Sequence, residues 1–227
     1  MTFVRPAPLV LVAAMCLQPG PARAQSPVPP GTIDAALGIA WTAAQPLGSG
    51  DARETTPTGS VFRIFTASTT LASATVVEGR IGLRMTRHLE LLASGSYGTP
   101  TLRISLSGDS ENAAAVTATE RVQQFTLGGG ALWYLGRWRT GNRLAPFVTG
   151  EAAYLRHVHS GNTLIQTGRQ YQIGGGIKYP LIQRNGGRLK SIGVRVDVRA
   201  VLHTRGLAFD AGVHTSPSFG ASSYVRF

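Results

Sequence analysis

Apolar and polar residues alternate with a period of two along most of the chain beyond residue 32. Over 33–43 the odd positions read Ile33, Ala35, Leu37, Ile39 and Trp41, and the even ones Asp34, Ala36, Gly38, Ala40 and Thr42. Over 77–86 one parity carries Val77, Gly79, Ile81, Leu83 and Met85, the other Glu78, Arg80, Gly82, Arg84 and Thr86. Over 192–203 the split sets Ile192, Val194, Val196, Val198, Ala200 and Leu202 against Gly193, Arg195, Asp197, Arg199, Val201 and His203. Residues i and i+2 share a strand face but no helix face, so the pattern predicts strands with one apolar side. Segments near 89–98, 120–135, 145–157, 168–181 and 217–227 follow the same rule, making eight strands. Their connections differ in length: long over 44–74, 99–118 and 204–216, short at Arg87-His88, over 136–143 and over 183–188. Residues 124–135 (QFTLGGGALWYL) echo 170–181 (QYQIGGGIKYPL), 46 positions later, an offset of one strand pair with its connections.

Alternation alone leaves open which face is inside. A soluble barrel, such as a lipocalin-type calyx, keeps its apolar face inward; a membrane barrel has an apolar outer band, a polar lumen, short turns at one end and longer loops at the other. With the first strand running outward, Trp41, Tyr97 and Tyr154 fall near the outer strand ends on the apolar parity. Trp133, Tyr179 and Phe227 fall near the opposite ends, again on that parity. Amphipathic rings settle at membrane interfaces, so the expected fold is all-β, a closed antiparallel up-and-down transmembrane β-barrel. Eight strands fit best. The count becomes ten if Val61–Leu71, itself β-prone, enters the wall rather than extending the first hairpin outside the membrane.

Composition agrees with this reading. Glycine makes up 28 of 227 residues, and 15% of residues are charged, against about 25% in ordinary soluble domains. No apolar run of about 18 residues follows the N-terminus, which excludes a helical-bundle membrane protein. Arg5, the apolar stretch 9–17 and Ala22-Arg23-Ala24 form the layout of a secretory signal peptide cleaved after Ala24. The expected organisation is a signal peptide over 1–24, a Pro-rich linker over 25–32 and the barrel over 33–227. Met15 before Cys16 departs from a lipoprotein signal, and no other cysteine occurs. Beyond residue 24, twenty basic residues face eleven acidic ones. An export signal argues against nucleic acid as the partner of that surplus.

The chain stops inside a strand, Phe219-Gly-Ala-Ser-Ser-Tyr-Val-Arg-Phe227, with Phe219, Ala221, Val225 and Phe227 on one parity and only Ser223 breaking it. Here the sequence resembles bacterial outer-membrane β-barrel proteins, whose last strand ends in Phe after alternating apolar residues. Small eight-stranded members of the OmpA/OmpX type are the most similar. The resemblance implies an outer-membrane location, contact with outer-membrane lipid including lipopolysaccharide, and recognition of Phe219, Val225 and Phe227 by the barrel-assembly machinery. No peptidoglycan-binding domain follows the barrel, so a wall-anchoring role is not implied.

On this reading Glu78, Arg80, Arg84, Glu90, Glu151, Lys178, Arg195, Asp197, Arg199 and Arg226 point into the lumen as a charge network. An eight-stranded barrel has room inside for side chains and no wide channel, so acids and bases there are expected to pair. Glycines at 82, 128, 130, 174, 176 and 193 leave space for them.

Recognisable chemistry is sparse. Neither Gly-Gly-Gly run continues into a phosphate loop. His157 and His159 share a strand face without the further ligands a metal centre needs. His214-Thr215-Ser216 has the spacing of an outer-membrane lipid A deacylase motif, yet no Glu follows it. No catalytic residue, cofactor or metal is expected. The leading expectation is a non-enzymatic outer-membrane barrel serving envelope structure or surface binding. Arg53, Glu54, Asp109, Glu111, Arg205 and Asp210 in the loops would carry any binding to an extracellular ligand. A narrow porin-like channel is the first alternative and a lipid-modifying enzyme the second.

Overall fold

The computed structural model describes residues 29–108, 114–136, 144–159, 164–184, 187–205 and 213–227. Eleven strands follow in order: β1 (Ile33–Thr42), β2 (Gln45–Thr55), β3 (Val61–Leu71), β4 (Ala74–Arg84), β5 (Leu89–Gly98), β6 (Thr101–Ser107), β7 (Val116–Tyr134), β8 (Ala145–His159), β9 (Ile165–Gln183), β10 (Ser191–Arg205) and β11 (Val213–Arg226). Eight of them close a barrel in the order β1-β4-β5-β7-β8-β9-β10-β11, with β11 returning to β1. Every neighbouring pair in this ring is antiparallel. The closing register runs from Asp34↔Arg226 to Thr42↔Ser218, and the Phe227 N–H donates to the Ile33 carbonyl at 2.9 Å. Closure leaves the wall no free edge.

Val61–Leu71 does not enter the wall. It forms β3, paired with β2 and β6 in a four-stranded sheet, β2-β3-β6-β7, that grows from the first part of β7. The division within β7 is sharp: Val116–Arg121 pair with β6, and Val122–Tyr134 pair with β8. The stretches 44–74 and 99–118, expected as long loops, therefore carry three strands. Val61–Leu71 extends the first hairpin outside the wall, one of its two expected places, whereas the Ser, Thr and Gly content of β2 and β6 disguised strands that bury few side chains. The free edge β2 is interrupted by register shifts near Pro46/Ser49 and Ala52/Arg53, with Gly48 at φ 107°. Such bulges, with the charges of Asp51 and Arg53, blunt edge-to-edge pairing.

The wall is inverted relative to a soluble barrel. Leu37, Leu127 and Ile173 are 67%, 73% and 64% exposed on the outside. The opposite parity buries Arg195, Glu90 and Lys178 almost completely. Apolar residues outside and ionised residues inside is the arrangement of a barrel whose outer solvent is hydrocarbon.

Candidate functional site

The interior is filled in layers. At the short-turn end, Leu92, Leu132, Tyr134 and Phe147 form a buried apolar cluster, edged by Ala145. Beside it, at the strand ends, lies an ion network. Lys178 Nζ donates to Asp34 Oδ2 at 2.9 Å and to Glu90 Oε1 and Oε2 at 2.8 and 3.1 Å. Arg226 grips both oxygens of Asp34 at 2.7 and 2.8 Å. The Tyr134 hydroxyl donates to Glu90 Oε2 at 2.6 Å, and the Arg84 guanidinium lies 3.7 Å over the Tyr134 ring. Arg84 also approaches Glu90 at 3.7 Å.

The middle layer balances three cations against three anions. Arg199 makes two 2.8 Å bonds to Glu78 and one of 2.7 Å to Gln172, and its Nε lies 2.6 Å from Asp197. Arg80 donates to Glu78 from Nε at 2.9 Å and approaches Glu151 at 3.6 Å and Asp197 at 3.8 Å. Arg195 donates to Asp197 at 3.1 Å and faces the Phe147 ring at 4.6 Å. Unpaired charges are costly away from water, and this mutual pairing lets so many occupy a narrow lumen. Small residues make the room: a Cβ on Gly174 would lie 2.8 Å from the Arg199 Cα, and one on Gly193 would lie 2.6 Å from the Tyr224 ring.

Toward the long-connection end the layer turns neutral. His203 hydrogen-bonds Gln45 at 2.5 Å and Gln170 at 2.9 Å, and Gln45 Nε2 donates to the His214 carbonyl at 2.8 Å. Gln45 belongs to β2, so this contact fastens the outer sheet to the barrel wall. Leu47, Leu71, Leu102 and Val122 form a second buried apolar cluster, with Ile104 against it. A cavity of about 40 Å³ lies between Gln45 and Leu71 on one side and Glu78 and Arg199 on the other. It has room for a few waters.

The ten charged residues singled out by alternation all sit in this interior, divided between two networks. Glu90, Arg84, Lys178 and Arg226 lie in the lower one; Glu78, Arg80, Glu151, Arg195, Asp197 and Arg199 lie in the middle one. Sequence reasoning missed Asp34, which anchors both Lys178 and Arg226. Its polar parity was the available signal. It also missed Tyr134, Tyr224 and the glutamines. Trp41, Tyr97, Trp133 and Tyr154 are exposed on the outer wall, and Tyr179 is half-exposed there. Phe125 and Phe219 join them, with Tyr97–Phe125 centroids 4.9 Å apart and Trp41–Phe219 centroids 5.9 Å apart. Phe219 and Phe227 are exposed and Val225 half-exposed on the same wall.

Arg53 and Glu54 are exposed on β2, and Arg205 ends β10. Asp109, Glu111 and Asp210 lie outside the described residues, as does the expected signal peptide. On the outer sheet, Thr66 and Arg53 donate to the Asp51 carboxylate at 2.8 and 3.2 Å, holding that carboxyl below its usual value. His157 and His159 point inward at the mouth, where His159 Nδ1 lies 3.0 Å from Glu120. Among the described residues no three metal-ligating side chains gather. Ser216 is buried and its hydroxyl has no hydrogen-bond partner, so no general base engages it.

By fold and interior, the chain is a closed eight-stranded antiparallel barrel of inverted polarity, carrying three extra strands at one end. No family model and no curated protein matches it. Among solved structures it is similar to the Neisserial surface protein A (NspA), at 12% identity and a TM-score of 0.49, covering 85% of this chain and 95% of that one. It is also similar to Ail, the attachment invasion locus protein of Yersinia pestis, at 7% identity and a TM-score of 0.40, covering 88% and 100%. A third likeness is to the outer membrane protein AlkL, at 15% identity and a TM-score of 0.35, covering 92% and 96%.

Proposed function

We propose that this chain is exported by a cleaved signal peptide and spans the bacterial outer membrane as a non-enzymatic, non-conducting barrel. Its long-connection end faces outward and carries a folded sheet for envelope structure or surface binding. The observation behind this reading is the inverted wall around a filled lumen. An apolar cluster lies near each end of the lumen, and the charges inside are paired with one another. An ion entering would have to break buried pairs. The outer sheet, with exposed Arg53, Glu54, Val61 and Phe62, supplies the accessible surface. Phe219, Val225 and Phe227, outward on the closing strand, are the residues offered to the barrel-assembly machinery. Lipopolysaccharide is the lipid neighbour of the outward end.

Purified protein in planar bilayers tests the proposal. Silence across a range of salt concentrations is expected, and discrete single-channel steps would overturn it in favour of a narrow channel.

A further inference from the structure

Among the described residues, the connections at the short-turn end of the barrel carry four cations and no acid. Three connections meet there: 85–88 between β4 and β5, 135–144 between β7 and β8, and 184–190 between β9 and β10. The first carries Arg87 and the third carries Arg184, Arg188 and Lys190, all exposed. In sequence the second adds Arg137, Arg139 and Arg143. No Asp or Glu occurs in any of the three. In the lumen charge nearly cancels, with six basic residues against five acidic ones. Among the described residues of these connections, Arg87, Arg184, Arg188 and Lys190 stand with no acid.

The rim cations adjoin the apolar wall directly. Leu181 and Ile182, each 52% exposed, precede Arg184, and Met85, 47% exposed, precedes Arg87. His88, next to Arg87, stacks on the exposed Trp133 at 5.8 Å. The β9–β10 turn is tied down by the Arg184 N–H to the Lys190 carbonyl and by the Lys190 N–H to the Arg226 carbonyl, both 2.8 Å. Connections as short as 85–88 and 184–190, at about 3.3–3.6 Å per residue when fully extended, stay close to the wall's end. In the strand order the β4–β5 and β9–β10 turns lie on opposite sides of the ring. Cations spread around a circle match a plane of negative charge better than a compact ligand.

We infer that Arg87, Arg184, Arg188 and Lys190 form a collar that binds the phosphodiester headgroups of anionic phospholipids in the leaflet at the short-turn end. The inference rests on the transmembrane reading above and adds the lipid class and the residues. Basic residues beside an anionic leaflet strengthen association roughly fivefold each. The collar fixes the depth of the barrel and enriches anionic lipid around it.

The full protein is folded into vesicles of phosphatidylcholine, alone or with a minority of phosphatidylglycerol. Electron paramagnetic resonance of spin-labelled lipids then gives the preference of the barrel's first lipid shell. A several-fold preference for phosphatidylglycerol is expected, falling to near parity in the combined variant Arg87→Gln, Arg184→Gln, Arg188→Gln, Lys190→Gln. High salt is expected to collapse the wild-type preference in the same way, which tests the collar even if that variant does not fold. Neutralising Arg53, Arg63 and Arg103 at the other end should leave the preference intact. Insertion without preference, or equal loss in both variants, overturns the collar alone. Failure to insert into any vesicle overturns the transmembrane reading. Binding to purified peptidoglycan that is lost in the collar variant, while lipid preference is unchanged, reassigns the rim to the wall polymer and also overturns the inference.

Discussion

Lys178 offers the sharpest test of the lumen. Its ammonium lies within 2.9 Å of Asp34 and 2.8 Å of Glu90, and the residue is 3% exposed. Lys178→Met keeps most of the volume and deletes the charge, leaving two buried carboxylates facing each other. Removing one partner of a buried pair costs about 3–5 kcal/mol. Asp34 keeps both bonds from Arg226, and Glu90 keeps the Tyr134 hydroxyl, so the loss should fall near the lower end, about 3 kcal/mol. Adding Asp34→Asn and Glu90→Gln deprives Arg226 of both its charged bonds and Arg84 of its acid, so the triple variant should recover none of that loss. Urea unfolding of the protein in lipid vesicles, followed by tryptophan emission and by the folded band on unheated gels, measures each variant. A single-variant cost below about 1 kcal/mol, the range of exposed ion pairs, would refute the reasoning. So would strict additivity across the three substitutions, because groups in one network must couple.

Three further outcomes follow from the packing. Gly130→Ala places a Cβ against the Gly150 carbonyl and 2.7 Å from the Glu151 Cα, and should cost about 1–3 kcal/mol; Gly79→Ala, with nothing within 4 Å, should leave the temperature of band loss unchanged or raise it. Leu71→Ala empties the outer apolar cluster and should expose β2 and β3 to limited proteolysis while the barrel band survives; an unchanged cleavage pattern would count against the sheet's attachment. Asp51 should titrate below the ordinary aspartate value by carbon-detected NMR, and Thr66→Val should move it back up. Because its folded value is lowered, its small contribution to edge order is present above the unfolded pKa and is lost as pH falls through the folded one.

The wall was legible in the sequence because two very different environments lie on its two faces. Leu37, Ile81 and Val196 had to differ from Asp34, Arg80 and Asp197 at every second position. The outer sheet was less legible for the converse reason. Leu47, Leu71, Leu102 and Val122 meet from four strands with one apolar contact each, which leaves no periodicity to read. Lumen partners were equally hidden. Lys178 and Asp34 lie 144 positions apart and are brought together by strand stagger and closure, while parity tells only that both point inward. The rim charge was visible as composition and gained meaning once the topology brought 85–88 and 184–190 to one end.

Spin-label accessibility in vesicles tests the inversion of the wall most directly. Residues 25–227 contain no cysteine, so single cysteines at Leu37, Leu127 and Ile173 can be labelled without background. Oxygen, which partitions into hydrocarbon, should relax all three labels strongly, while a water-soluble nickel chelate should barely reach them. Ready access by the nickel chelate at these sites would place water on the apolar face and contradict the account.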